Sequence, residues 1–205
     1  MAGKKKMQRK TLFSAIITLL SFAYKATLSF LTMSMVLMVA SISTLMVFIC
    51  KALFVRNVLQ TREKKKKAYL FMAMAVLLYS LIFIAFVVLK VNDIDISKEI
   101  PFDGLFGILF IGVLFILFIL SIIGLRGALE KTDIMVIGLK EMTFVSALAD
   151  LVIIEEFVSI IVLKYVDVEY MPKINGYFSL GVGALMLIVS FVMIVRFARY
   201  KSNRW

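Results

Sequence analysis

Glu141–Leu163 reads EMTFVSALADLVIIEEFVSIIVL. Its length and apolar content are those of a membrane-spanning helix, for which about 20 residues cross a roughly 30 Å hydrocarbon core. Its interior nevertheless holds three acids, Asp150, Glu155 and Glu156. No other apolar segment of the chain has an acid in its interior.

The rest of the composition places this helix in a membrane protein. The 205 residues are 62% hydrophobic and the mean hydropathy is +1.02. A soluble domain is nearer 45–50% apolar, so lipid must solvate much of this surface. The net charge is +11, with a pI of about 9.8. The bases lie in blocks between apolar runs, which is the pattern of cytoplasmic loops on anionic lipid. Nucleic-acid binding is not expected, because no basic stretch is interleaved with aromatics on a polar fold. The absence of histidine excludes a Ser-His-Asp hydrolase, a His-ligated zinc enzyme and a His-held haem. Cys50 is the single cysteine. It permits no internal disulfide and reads as a small buried hydrophobe. No nucleophile–base pair or metal set is visible, so the chain is not expected to be an enzyme or to hold a cofactor or metal.

Five further apolar segments frame the acidic one. Residues 27–50, 68–89, 104–125 and 177–195 are long enough to span, and 141–163 joins them. Thr11–Tyr24 has only 14 residues, a helix of about 21 Å. Three readings compete for it. It is a cleaved signal ending at Ser21-Phe22-Ala23, or a short first span with Lys10 and Lys25 at its ends, or an interfacial helix with a polar stripe of Thr11, Ser14, Thr18, Ser21 and Lys25. Loop 51–67 has seven Lys/Arg and one acid, and the tail after Val195 has four Lys/Arg and no acid. Both belong inside by the positive-inside rule. Alternation then sends 11–24 across the membrane, and an uncleaved short span is preferred. The expected fold is therefore one all-α membrane domain over 1–205, a polytopic bundle of about six helices with both termini cytoplasmic in the cell membrane.

Six spans divide as three and three. At an offset of 114, Ser29-Phe30-Leu31-Thr32 falls on Thr143-Phe144-Val145-Ser146, and at 108, Ala68-Tyr69-Leu70 falls on Gly176-Tyr177-Phe178. The matched spans run in opposite directions, as in the inverted repeats of secondary transporters. Chance alignment of apolar helices is the plainer account.

A charge at the bilayer centre costs about 2.5–3.5 kcal/mol on insertion scales. With spans bounded as above, no Lys or Arg lies inside another span, so the acids lack an in-membrane counter-ion. At about 100° per residue, Asp150 stands about 140° from Glu155 and about 120° from Glu156, so the three cannot form one cluster. One consequence is an ion or proton pathway in a small transporter or ion-coupled permease, supported by Tyr79, Ser80, Ser146 and Ser159, with Ser41, Ser43 and Thr44 as further partners. The alternative is a non-transporting scaffold or accessory subunit, in which the acids bind helix hydroxyls or the bases of a partner protein or second copy. The run Lys64-Lys65-Lys66-Lys67 reads as an anchor on anionic lipid. Gly181, Gly183, Gly104 and Gly107 read as sites of close helix contact. Met33, Met35, Met38 and Met46 read as adaptable packing. Asp93, Asp95, Glu99 and Asp103 match no EF-hand spacing.

The stretch RGALEKTDIMVIGLKEMTFVSALADLVIIEEF, with CKALFVRNV and LMLIVSFVMIVR, resembles an uncharacterised family of small polytopic membrane proteins from low-GC Gram-positive bacteria. The likeness is one of pattern over residues 27–197 and transfers no activity. In that family the positions of Ile154-Glu155-Glu156 tend to be polar and uncharged, so the acids of this chain depart from it.

Overall fold

The computed structural model describes residues 2–32, 34–92, 105–130, 133–165 and 171–202. Within them the chain forms six helices: α1 (Ala2–Thr32), α2 (Met35–Asn57), α3 (Arg62–Val91), α4 (Leu105–Leu129), α5 (Ile134–Tyr165) and α6 (Met171–Ser202). The acidic loop residues Asp93, Asp95, Glu99 and Asp103, with Gly104 and Met33, lie outside the described residues.

Two boundaries differ from the sequence reading. The helix that starts the chain is not short. α1 runs unbroken through Lys25 for 31 residues, and the chain breaks at Ser34. That residue is extended, and its hydroxyl accepts from the Leu37 N–H. Serine is a preferred N-cap because its oxygen satisfies an orphan amide of the first turn. The second span accordingly starts at Met35 rather than at residue 27. α5 likewise begins earlier than Glu141, where Asp133 Oδ1 accepts from the Met135 N–H at 3.1 Å.

Five helices are long and apolar enough to cross a membrane, over Met7–Leu31, Val36–Asn57, Arg62–Val91, Ile108–Leu129 and Ile174–Tyr200. They mark a multi-pass integral membrane protein. α5 is as long, at 32 residues, but is too charged to qualify on composition. Its position explains why. It packs against α2, α3, α4 and α6, and no residue from Ile134 to Phe157 is exposed. A helix with apolar residues on every face belongs in a core, and here the core is built on α5, with its charged residues among them. Met135, Met142, Val145, Leu148, Val152 and Ile153 are sealed in it. α4 is the opposite case. It packs mainly on α5, touches α1 where the Phe110 ring meets that of Tyr24, and turns Ile108, Leu109, Ile116, Leu120 and Ile123 outward.

α3 buries Tyr69, Met72, Val76, Tyr79, Phe83 and Val87, a 3–4 spacing that forms one face of a helix. α6 lies antiparallel against it. Gly183 and Gly176 make room for Ile84 and Val91, whose atoms lie 2.7 and 2.5 Å from where a Cβ would sit. Close approach at Gly183 agrees with the sequence reading, whereas nothing approaches Gly181 within 4 Å.

The ends of the bundle are distinct. Gln8 bonds the Val55 carbonyl, the Arg62 guanidinium lies over the Tyr200 ring, and Lys65 pairs with Asp133 at 2.7 Å. The start of α1, the α2–α3 turn, the start of α5 and the end of α6 therefore meet at one basic end. The Lys64–Lys67 run sits there, and its four side chains have different settings. Lys65 is buried on Asp133, and Lys66 stands over the Phe197 ring. Only Lys64 and Lys67 are exposed.

Candidate functional site

The acids of α5 each meet a different neighbour. Asp150 Oδ1 accepts from Lys25 Nζ at 2.5 Å, and the same ammonium donates to Thr44 Oγ1 at 3.3 Å. Lys25 is 3% exposed and Asp150 8%, so this is a sealed ion pair joining α1, α2 and α5. Beside it, Ser43 and Ser146 hydroxyls lie 3.1 Å apart. The Tyr79 hydroxyl donates to the Val39 carbonyl at 3.3 Å. Ser80 and Ser41 bond carbonyls of their own helices, Val76 and Met38, and so do not join the acids.

Glu156 pairs with Lys90 of α3. Glu155 points elsewhere, as the angular spacing requires. Ser159 Oγ lies 3.3 Å from Glu155 Oε1 and 3.0 Å from Asn175 Oδ1. Glu155 Oε2 is buried with no hydrogen-bond partner among the described residues.

A fourth acid completes the set. Glu141, taken in the sequence as the edge of the span, is buried. Its carboxylate accepts from the Tyr69 hydroxyl at 3.0 Å and pairs with Arg196 of α6. Gly138, one turn earlier, leaves space for the Tyr69 ring, whose Cδ2 lies 2.6 Å from a hypothetical Cβ. Charge pairs thus tie α5 to α6 at Glu141, to α1 at Asp150 and to α3 at Glu156. From the first to the last is about 22 Å, at 1.5 Å per residue.

The expectation that the acids lack counter-ions is corrected. The bases are Lys25, Lys90 and Arg196, each the first residue beyond a span as drawn from sequence. Burying an ion is costly unless its partner is in contact and the remaining valences are bonded. That cost is offset here within one chain. Cys50 is free and buried, as its apolar setting implies.

No protein family, curated protein or solved structure matches this chain.

Proposed function

We propose that this chain is a small ion- or proton-coupled carrier of the cell membrane, with α5 as its coupling helix. The observation that carries this reading is the sealed Lys25–Asp150 pair. A buried ion pair contributes little stability that apolar side chains of the same volume would not. Ionisable groups at membrane depth mark ion and proton pathways. Thr44, Ser43 and Ser146 extend the pair into a polar track. A proton on Asp150, or a cation in place of the lysine ammonium, removes the bond that ties α1 to α5.

The packing supports the same reading. Exchange of α1–α3 with α4–α6 maps α1–α2 onto α4–α5 and α2–α3 onto α5–α6, and leaves α2–α5 and α3–α6 as they are. Only α3–α5 lacks its counterpart among the described residues. α1 starts at the basic end. α4 finishes there, with Gly124 against Lys140 near the start of α5. The halves are therefore inverted, as in carriers with a midplane site. The resemblance lies in helix pairing and not in the residue matches. Ser29–Thr32 belongs to α1 and cannot correspond to α5, and Tyr69 is buried while Tyr177 is exposed. The basic end, with both termini, faces the cytoplasm by the positive-inside rule.

The accessory-subunit alternative rested on unpaired acids, and three of the four acids on α5 now have a base within the chain. The test is flux in proteoliposomes with an enclosed pH-sensitive dye and imposed proton, Na⁺, K⁺ or Mg²⁺ gradients. Wild-type flux that is lost in Asp150→Asn and Lys25→Met, with helical content unchanged, is the expected result. Absence of wild-type flux under every gradient overturns the carrier.

A further inference from the structure

A recess of about 340 Å³ lies between α1, α2 and α5 toward the basic end, lined by Lys10, Lys51 and Lys140 together with Thr11, Ser14 and Thr143. We infer that it binds a phosphate group, as a monoester or diester, with these three ammonium groups as the charged contacts. Each lysine comes from a different helix, and no acid among the described residues lines the recess. Lys51 Nζ is held by neutral oxygens alone among the described residues: Ser14 Oγ at 2.8 Å, the Ser14 carbonyl at 3.3 Å and Thr18 Oγ1 at 2.5 Å. Those bonds leave the charge of the ammonium without a carboxylate among the described residues. Glu141, the acid next to Lys140, is engaged by Arg196 and Tyr69. Elsewhere in the interior Lys25, Lys90 and Arg196 each have a carboxylate. This recess is where the pairing rule fails.

Like charges converging at partial burial repel one another in a medium of reduced dielectric, and an anion between them removes that repulsion. Ammonium donors around an acid-free recess match phosphate oxygens, and charge-assisted bonds of this kind are the strong ones, whereas the Thr11 and Thr143 hydroxyls donate to the Met7 and Leu139 carbonyls of their own helices. Lys10 is exposed and stands at the mouth, whereas Lys51 and Lys140 are half-buried. The site takes shape without reference to transport, so it stands or falls separately from the carrier. A phosphate reaches it as a lipid head group or as a free anion, since the basic end adjoins both head groups and solvent.

The test uses the full chain purified in detergent. Native mass spectrometry counts bound dioleoylphosphatidylglycerol, retained or added, and a thermal-shift titration reads inorganic phosphate. The variants are Lys51→Gln, Lys140→Gln and Lys10→Gln, with the exposed Lys64→Gln/Lys67→Gln pair as control. Saturable binding of one probe, weakened about ten-fold per cavity lysine and unchanged in the control, is expected from the loss of one charge-assisted bond. Phosphatidylglycerol alone identifies a lipid site, and inorganic phosphate alone a free-anion site. Lys140→Gln also raises the melting temperature of the ligand-free protein, because it relieves repulsion, while it weakens binding. A merely structural lysine does not give these opposite signs, and Lys140→Gln and Lys10→Gln keep the test open should Lys51→Gln fail to fold. Neither probe binding, or equal weakening in the control, overturns the proposal.

Discussion

Separating Lys25 from Asp150 gives the sharpest prediction. Lys25→Met keeps the stem of the side chain and removes the charge, leaving a carboxylate 8% exposed with its cation gone. Asp150→Asn keeps the shape and leaves the ammonium with Thr44 at 3.3 Å and a neutral amide. Removing one partner of a buried pair costs about 3–5 kcal/mol, because the survivor is an uncompensated charge. Asn still offers Lys25 an acceptor, so Asp150→Asn falls at the low end of that range and Lys25→Met at the high end. Lys25→Met/Asp150→Asn buries no charge, so its cost is smaller than that of Lys25→Met alone. The coupling between the sites is on the order of 3 kcal/mol. Unfolding in mixed detergent and sodium dodecyl sulfate, followed by far-ultraviolet circular dichroism, reads all four proteins. Single-variant costs below about 1 kcal/mol that add in the double variant, within the usual additivity error of about 0.5 kcal/mol, refute the pair and with it the tie between α1 and α5.

The same assay separates two glycines. Gly138→Ala drives a Cβ to 2.6 Å from Tyr69 Cδ2 and costs about 1–3 kcal/mol as overpacking, whereas Gly112→Ala, with nothing within 4 Å, is neutral or stabilising by up to about 1 kcal/mol. Glu156→Gln breaks the ion pair with Lys90 and costs about 1–3 kcal/mol. Glu155→Gln keeps the Ser159 contact and loses nothing at the unpartnered Oε2, so it costs less than about 1 kcal/mol; a larger loss than for Glu156→Gln contradicts the geometry. Lys67→Cys, on an exposed position at the basic end, reacts with a membrane-impermeant maleimide only after permeabilisation, while buried Cys50 stays unlabelled. Labelling of Lys67→Cys in intact cells reverses the orientation.

The helix count and the membrane setting were legible because each span is a long apolar run between basic blocks. The ion pairs were hidden by the rule that found the spans. A span drawn from hydropathy stops at the first charge, so Lys25, Lys90 and Arg196 were all placed one residue outside. α1, α3 and α6 in fact continue through them, because backbone hydrogen bonding does not end where hydropathy does. The break at Ser34 was missed for a related reason. No Gly, Pro or Asn marks it, and a lone serine among Thr32, Met33 and Met35 gives a cap signal too weak to read without the tertiary contacts. The 3.6-residue period did separate Asp150 from the two glutamates, and each acid has its own neighbour. Periodicity gives direction around a helix but not what stands opposite.

The cost first assigned to α5 assumed acids facing lipid. Its residues from 134 to 157 have no exposed member, so the relevant comparison is an ion pair in a protein core rather than a lone charge in a bilayer. On that basis Asp150, Glu156 and Glu141 are each balanced by a base. Among the described residues of α5, what remains without a salt-bridged partner is Glu155, with a buried free oxygen near one end, and Lys140, sharing a recess with Lys51 near the other. The two leftovers have opposite sign and stand about 22 Å apart along the helix axis, too far apart to pair with each other. Each must find its counter-charge locally. The phosphate inferred at the basic end supplies one, and adding Glu155→Gln to the gradient tests of the carrier asks whether a proton or metal cation supplies the other.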